Sequence, residues 1–442
     1  MLSSFVRFAR ATNSLELAWV LLWCATLSFT QRTAAESLYG GIDAVHLQRY
    51  VFDAAALAFT LMNAGRLRTL KWDPITFFLV YVLFGVVSTS WSVGPLATAA
   101  KSGELLIGVL IVSLTLVKRD PLTRLRRLID WLAVLLGGLL VVVLAGFIVA
   151  PESFSIPSLG VLSRQLQAPV ISSNGISAAS AFLCLLCFAR YLAHPRGSTQ
   201  RLRYLLLYFF FIVFPILAQG RTGQAMVVAG TAFLLLRRTP GIALLLVVPP
   251  AAFFAFTFAT EVATFFTRGQ QEAQFTGLSG RLILWQWAWE AAQDHPFFGV
   301  GFGVGSRHLF AQGTGFFGET ISSVHNGFLE VLLGTGLAGF AFWAVSFLWG
   351  VRLAAASYMG GQNLDVCMLF VYLLGTTIMS IGVGGWMGAP TAVFLVATAY
   401  LHLARRGVQP AAAAHPPRAR GRRPLRPVVT GARMVSGTED HP

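Results

Sequence analysis

Apolar runs long enough to cross a lipid bilayer recur along this chain, and they leave room for few other architectures. A spanning helix needs about 20 mostly apolar residues. About twelve stretches qualify, near 15–31, 48–64, 74–91, 103–117, 128–150, 170–192, 203–219, 222–236, 241–259, 326–349, 364–383 and 388–403. Hydrophobic residues make up 55% of the chain and charged residues 12%, with a mean hydropathy of +0.67. A soluble chain carries roughly twice that charged share. The expected fold is therefore an all-α integral membrane protein of about twelve transmembrane helices. Residues 1–259 hold the first nine helices and 326–404 the last three. Between them, 260–325 form one large loop with short amphipathic helices. Residues 405–442 are rich in Pro, Ala and Arg, cannot bury a core, and are expected to be disordered.

The net charge of +15 points at first to nucleic acid. Its distribution points instead to topology, because most basic residues lie in short clusters between apolar runs or in the tail. With the N-terminus in the cytoplasm and the helices alternating, the opposite face keeps eight cations: Arg32, Arg49, Lys101, Arg164, Arg221, Arg268, Arg281 and Arg307. The chain has 33 basic residues, so 33 less these eight leaves 25 on the cytoplasmic side. That asymmetry is the positive-inside bias. It puts the 260–325 loop on the non-cytoplasmic face, with both termini in the cytoplasm. The run Leu15–Thr30 follows Arg7 and Arg10 and reads as a first retained helix rather than a cleaved leader, since many spans follow. Cys24, Cys184, Cys187 and Cys367 all fall in or beside apolar runs and read as small packing residues.

The outside cations are disfavoured by that bias, which makes them candidates for function. Arg221 lies in Gln219-Gly220-Arg221-Thr222-Gly223, a tight turn heading a helix. Helix N-termini attract anions, and arginine adds a planar fork of donors suited to phosphate. The bland alternative is an interfacial arginine reaching to headgroups. Arg281 opens an amphipathic segment that ends before His295-Pro296. At helical spacing it falls on the apolar stripe with Leu284, Trp285, Ala288, Trp289 and Ala292, opposite Gln286, Glu290 and Gln293. A cation there suits an anion such as a lipid-linked phosphate, or a stack on Trp285. Ser279 is its expected N-cap. His325 ends the loop as the tenth span begins, where a helix N-terminus helps keep imidazole neutral and able to accept a proton. Arg164, Asn174, His295 and Asn326 are weaker candidates. His295 precedes Pro296 and suits a turn. The glycine-rich run Gly299–Gly305 lacks a Gly-Lys-Ser/Thr ending and reads as a flexible turn. Gly334, Gly336 and Gly339 suit close helix contact. No ligand spacing suggests a metal site.

These segments resemble the O-antigen ligase and polymerase family of bacterial glycan transferases. The resemblance rests on Leu278-Ser279-Gly280-Arg281 with a tryptophan-rich helix after it, then His295-Pro296-Phe297-Phe298-Gly299-Val300-Gly301. It continues with His325-Asn326-Gly327-Phe328-Leu329 and Gly334-Thr335-Gly336 downstream, and extends to Gly220-Arg221-Thr222 and Asn174. Gly220 stands where the family often has serine. The resemblance implies transfer of a glycan from an undecaprenyl-diphosphate carrier to an acceptor hydroxyl at the periplasmic face. The acceptor would be another glycan, for an exopolysaccharide or O-antigen polymerase, or lipid A core, for a ligase. It further implies that Arg221 and Arg281 bind the diphosphate, that His325 is the base, and that no cofactor or metal takes part. Membrane lipids and other polysaccharide assembly and export proteins are the implied partners, and nucleic acid is not. The competing class is a transporter or flippase of lipid-linked sugars. A transporter is expected to carry ionisable residues deep in its spans, whereas here Asp53 is the clearest such residue and the candidates gather outside.

Reporter fusions after Gly407 and at Gly313 should report opposite sides of the membrane. Finding both on one side would remove this topology.

Overall fold

The computed structural model describes residues 12–27, 40–65, 73–158, 162–238, 281–311 and 323–360, with a few isolated positions besides. The helices in chain order are α1 Ser14–Leu27, α2 Ala44–Leu61, α3 Pro74–Val87, α4 Pro95–Leu116, α5 Pro121–Val149, α6 Ser173–Ala193, α7 Thr199–Leu217, α8 Arg221–Arg238, α9 Arg281–Asp294, α10 Gly305–Ala311 and α11 Gly327–Gly360. Local chemistry sets their starts. Asp73 accepts from the amides of Ile75 and Thr76 at 2.9 and 3.0 Å ahead of Pro74. Ser172 caps α6 and Ser198 caps α7. α4 and α5 begin with proline, whose fixed φ suits a first helical position.

Five described helices are long and apolar enough to cross a membrane: α4, α5, α6, α7 and α11. Nine of the expected spans fall on helices. Those near 241–259, 364–383 and 388–403 lie outside the described residues, as do the tail and Ser279. The fourth span starts earlier than its apolar run suggested, at Pro95 rather than 103, because Lys101 and Glu104 interrupt the hydropathy without interrupting the helix.

Polar contacts collect at two ends of the bundle. At one end Asn63 donates to Ser14 Oγ at 3.0 Å, Lys118 donates to Asn63 at 2.6 Å, and Arg127 pairs with Glu16 at 2.8 Å. At the other, Thr26 donates to Glu104 at 2.7 Å, Arg49 pairs with Glu104, and Lys101 donates to the Gly303 carbonyl at 2.6 Å. Between them lies an apolar core that includes the fully buried Trp19, Phe78, Ile111, Phe182 and Phe214. Helices α1 and α2 therefore run antiparallel, and α4 runs in the direction of α2. Which end faces the cytoplasm rests on the basic-residue bias.

The structure corrects three expectations. The fold is not purely helical, since a short antiparallel hairpin, β1 Ser155–Pro157 with β2 Arg164–Leu166, lies between α5 and α6. The tenth span is not one continuous helix. It runs past 349 to Gly360 and breaks at Gly336, where φ is 61° and ψ −166°. The glycine-rich run is not a loose turn, for it is packed into that break. Val300 and Gly301 amides donate to the carbonyls of Leu333 and Gly334 at 3.0 and 2.9 Å, and Leu337 and Ala338 amides donate to the carbonyls of Pro296 and Phe297 at 2.8 and 3.1 Å. A helix break strands such groups, and an apolar surrounding offers no water to satisfy them. The 296–301 segment supplies partners on both sides. It is also strapped to the α3–α4 turn: Val93 donates to the Val300 carbonyl at 3.0 Å, and Phe302 donates to Ser88 Oγ at 3.0 Å.

Gly336→Ala tests this joint. A Cβ there would lie 2.5 Å from the Phe297 carbonyl oxygen, at a positive φ. The variant should lose on the order of 1–3 kcal/mol. Gly138→Ala in α5 meets nothing within 4 Å and should be neutral or slightly stabilising. Thermal unfolding in detergent compares them; equal melting temperatures would sink the account.

Candidate functional site

The candidate residues fall into two groups, each built by a different part of the fold. The first surrounds the turn from α7 into α8. Gln219, 2% exposed, adopts a left-handed backbone with φ 48°. Its side chain donates to the carbonyls of Leu162 and Arg164 at 3.2 and 3.4 Å and accepts from Ser158 Oγ at 2.9 Å. Gln165 returns a bond to the Ala218 carbonyl at 2.8 Å, and Ser177 Oγ donates to the Gly220 carbonyl at 3.0 Å. The hairpin and α6 thus fix the backbone from which half-buried Arg221 opens α8. Arg164 sits on β2 in the same assembly, exposed, with Nη1 3.4 Å from Ser155 Oγ. Asn174 lies in the first turn of α6, which packs on α8.

Gly220 stands against Ser177, whose Oγ would be overrun by any Cβ at 220. Ser177 thus fills the space that a side chain at 220 would take.

The second group lies at the head of α11. His325 has a left-handed backbone with φ 54°, and its amide donates to Ser323 Oγ at 3.1 Å. Asn326 caps α11, its Oδ1 accepting from the amides of Phe328 and Leu329 at 3.0 and 3.3 Å. That is a structural role for a residue proposed as a site candidate. α9 packs directly on α11. Trp285, one turn beyond Arg281, donates its indole N–H to the Val324 carbonyl at 3.0 Å, immediately beside His325. The expected apolar stripe is buried at Leu284, Ala288 and Ala292, while Trp289 is 56% exposed and departs from it. Gln286 and Glu290 are exposed and bonded to each other at 3.0 Å, as the pattern implied. The Arg281 backbone opens α9. His295 closes a turn, its carbonyl accepting from Gly299 at 3.1 Å. His308, on α10, is pushed below the ordinary histidine value by burial and by nearby His295.

Sequence reasoning missed Glu330. It lies on α11 and accepts from Ser306 Oγ at 2.6 Å, Ser323 Oγ at 2.8 Å and the Val324 amide at 3.1 Å. Its position amid apolar residues was the available signal. The structure also accounts, without invoking a ligand, for three of the cations that the charge bias places outside. Arg49 pairs with Glu104, while Lys101 and Arg307 both donate to the Gly303 carbonyl. Burial pulls Arg307 below the ordinary arginine value, Glu330 counters this, and Arg49 adds to it. Among the described residues no group of three His, Cys, Asp or Glu side chains gathers as a metal site.

A polytopic helical bundle with a strapped helix break and a histidine-bearing turn beside it defines a class of integral membrane protein. Within this chain, residues 206–344 match the family model described as O-antigen ligase, which bears out the family resemblance of the sequence motifs. The matched segment contains Arg221, Arg281, His295, His325 and Asn326, but neither Arg164 nor Asn174. No curated protein matches the chain.

Gln219→Ala should release the hairpin from the Arg221 turn. Losing these buried bonds should cost about 1–3 kcal/mol and speed limited proteolysis within 155–166. Unchanged cleavage would show that the hairpin is held by other means.

Proposed function

We propose that this protein transfers a glycan from an undecaprenyl-diphosphate carrier to an acceptor hydroxyl at the periplasmic face of the inner membrane, in polysaccharide assembly. The observation that carries the proposal is the junction of α9 and α11 within the matched segment, where Trp285 ties the helix opened by Arg281 to the turn bearing His325. Transfer breaks the bond between the sugar C1 and the diphosphate oxygen, and negative charge builds on that diphosphate. Arg221 and Arg281 are the groups assigned to meet it, since fixed cations in a water-poor site stabilise charge that develops in the transition state. The acceptor hydroxyl loses its proton as its oxygen bonds to C1, and His325 is the base assigned to take it. Attack opposite the leaving diphosphate inverts the anomeric centre. A carbohydrate acceptor carried on a second lipid diphosphate makes the reaction a polymerisation, which the motifs favour slightly, and a lipid A core acceptor makes it a ligation.

The test is turnover of a purified lipid-linked oligosaccharide, with variants compared at equal membrane abundance. His325→Ala should slow turnover by about 10²–10⁴ with little loss of donor binding. Arg221→Ala and Arg281→Ala should each cost on the order of 2–4 kcal/mol in the transition state. Lysine should rescue either arginine poorly, because an ammonium lacks the planar fork. Near-normal turnover by His325→Ala, with loss in His295→Ala or His308→Ala, would move the base elsewhere.

Chelation should leave activity intact, because the arginines supply the charge that a divalent cation supplies in other transferases. A large loss restored by one metal would overturn the roles of Arg221 and Arg281.

A further inference from the structure

The turn that carries His325 is held from three directions, and Glu330 is the centre of that hold. The His325 amide donates to Ser323 Oγ, and the Ser323 hydroxyl donates in turn to Glu330 Oε1. The same oxygen accepts from the Val324 amide. On its other side Val324, which is fully buried, accepts from Trp285 Nε1 through its carbonyl. Glu330 Oε2 accepts from Ser306 Oγ on α10. One carboxylate therefore joins α10, the 323–325 turn and α11. An ordinary capping residue reaches back to its own N-cap. Glu330 reaches further, past the cap Asn326, to the two residues that precede His325. His325 needs such a hold because its left-handed backbone is unfavourable for a residue with a Cβ. Glu330 is half-buried, and a carboxylate drawn partly out of water is costly unless hydrogen bonds replace those it loses, as the three here do.

We propose that Glu330 is a positioning residue for His325, fixing the 323–325 turn so that the imidazole is presented to the acceptor hydroxyl. This rests on the assignment of His325 as the base. Glu330 touches neither substrate nor reacting atoms in this role. It acts through Ser323 and the Val324 amide, and small displacements of a catalytic group are expensive: about 1 Å can cost about 10²-fold in rate.

The experiment is a double-mutant cycle on full-length protein in proteoliposomes, using a polyprenyl-diphosphate-linked oligosaccharide as donor. Glu330→Ala should lower kcat by about tenfold to a hundredfold while the donor KM moves less than about twofold. Glu330→Gln should keep most of the activity, since its carboxamide oxygen can accept from Ser323 and Val324 and its amino group can donate to Ser306. In a His325→Ala background, Glu330→Ala should cost less than about a further twofold, because residues acting as one unit are not additive. Unchanged kcat in Glu330→Ala, or a loss that multiplies fully with that of His325→Ala, overturns the positioning role and leaves the base assignment standing. Wild-type turnover in His325→Ala overturns both. Should Glu330→Ala fail to accumulate, Ser323→Ala decides. It breaks the link without burying an unpaired charge. A kcat loss of about threefold or more that disappears in the His325→Ala background supports the proposal, and wild-type kcat overturns it.

Discussion

The peptide groups stranded by the break in α11 are the constraint on which the rest of this end of the molecule depends. Backbone N–H and C=O groups buried without partners cost on the order of 1–3 kcal/mol each, and an apolar surrounding supplies no water to relieve them. Here the 296–301 segment satisfies two carbonyls before Gly336 and two amides after it. The consequence reaches beyond the break. That segment directly follows α9 and leads into α10, so anchoring it to α11 also fixes both flanking helices against the α11 head. The α3–α4 turn is drawn into the same unit through Ser88 and Val93. The joint therefore sets α9, which opens at Arg281, the His295 turn and α10, which bears His308, against α11, at whose head His325 lies.

The helices were legible because hydrophobic run length is a property of local sequence. Asp73–Pro74 and Ser172 also announce their helix starts to anyone reading for caps. The break was not legible. Gly334, Gly336 and Gly339 fit helix contact as well as they fit interruption, and only the arrival of Phe297 against Gly336 decides between them. The order of the glycine-rich run was hidden for the same reason, since its partners lie on α3, α4 and α11. Arg221, Arg281 and His325 were proposed from sidedness and from helix-terminus chemistry, both of which are local. Glu330 was missed because its partners, Ser306 and Ser323, belong to segments that only the folded chain brings to it. Of the α9 stripe, Leu284, Ala288 and Ala292 are buried and Trp285 half-buried, while Trp289 is exposed, because periodicity gives a face but not the extent of the neighbouring surface.

The cations that the charge bias assigns to the outer face show how one signal can carry two meanings. A basic residue kept against the positive-inside bias marks a requirement but not its kind. For Arg49, Lys101 and Arg307 the requirement is internal. Arg49 compensates Glu104, and the other two hold the Gly303 carbonyl where the glycine-rich segment enters α10. At Arg221 the turn itself is held by Gln219, Gly220 and Gln224, whose hydrogen bonds reach the hairpin, α6 and α7.

Backbone strain supplies an independent argument for the same positions. Among the described residues three non-glycine residues have positive φ: Asp120, Gln219 and His325. Such a conformation costs roughly 1–2 kcal/mol and persists only where the surroundings over-determine it. At Gln219 the surroundings are Ser158 and the carbonyls of Leu162 and Arg164. At His325 they are Ser323 and, through it, Glu330. One of these sites lies two residues before Arg221, and the other is the candidate base itself. Motif, sidedness and strain are separate properties of the chain, the first read by resemblance, the second by charge and the third by geometry. Their convergence on two turns within residues 206–344 is what makes those turns, rather than the many other loops of a polytopic bundle, the place to look for chemistry.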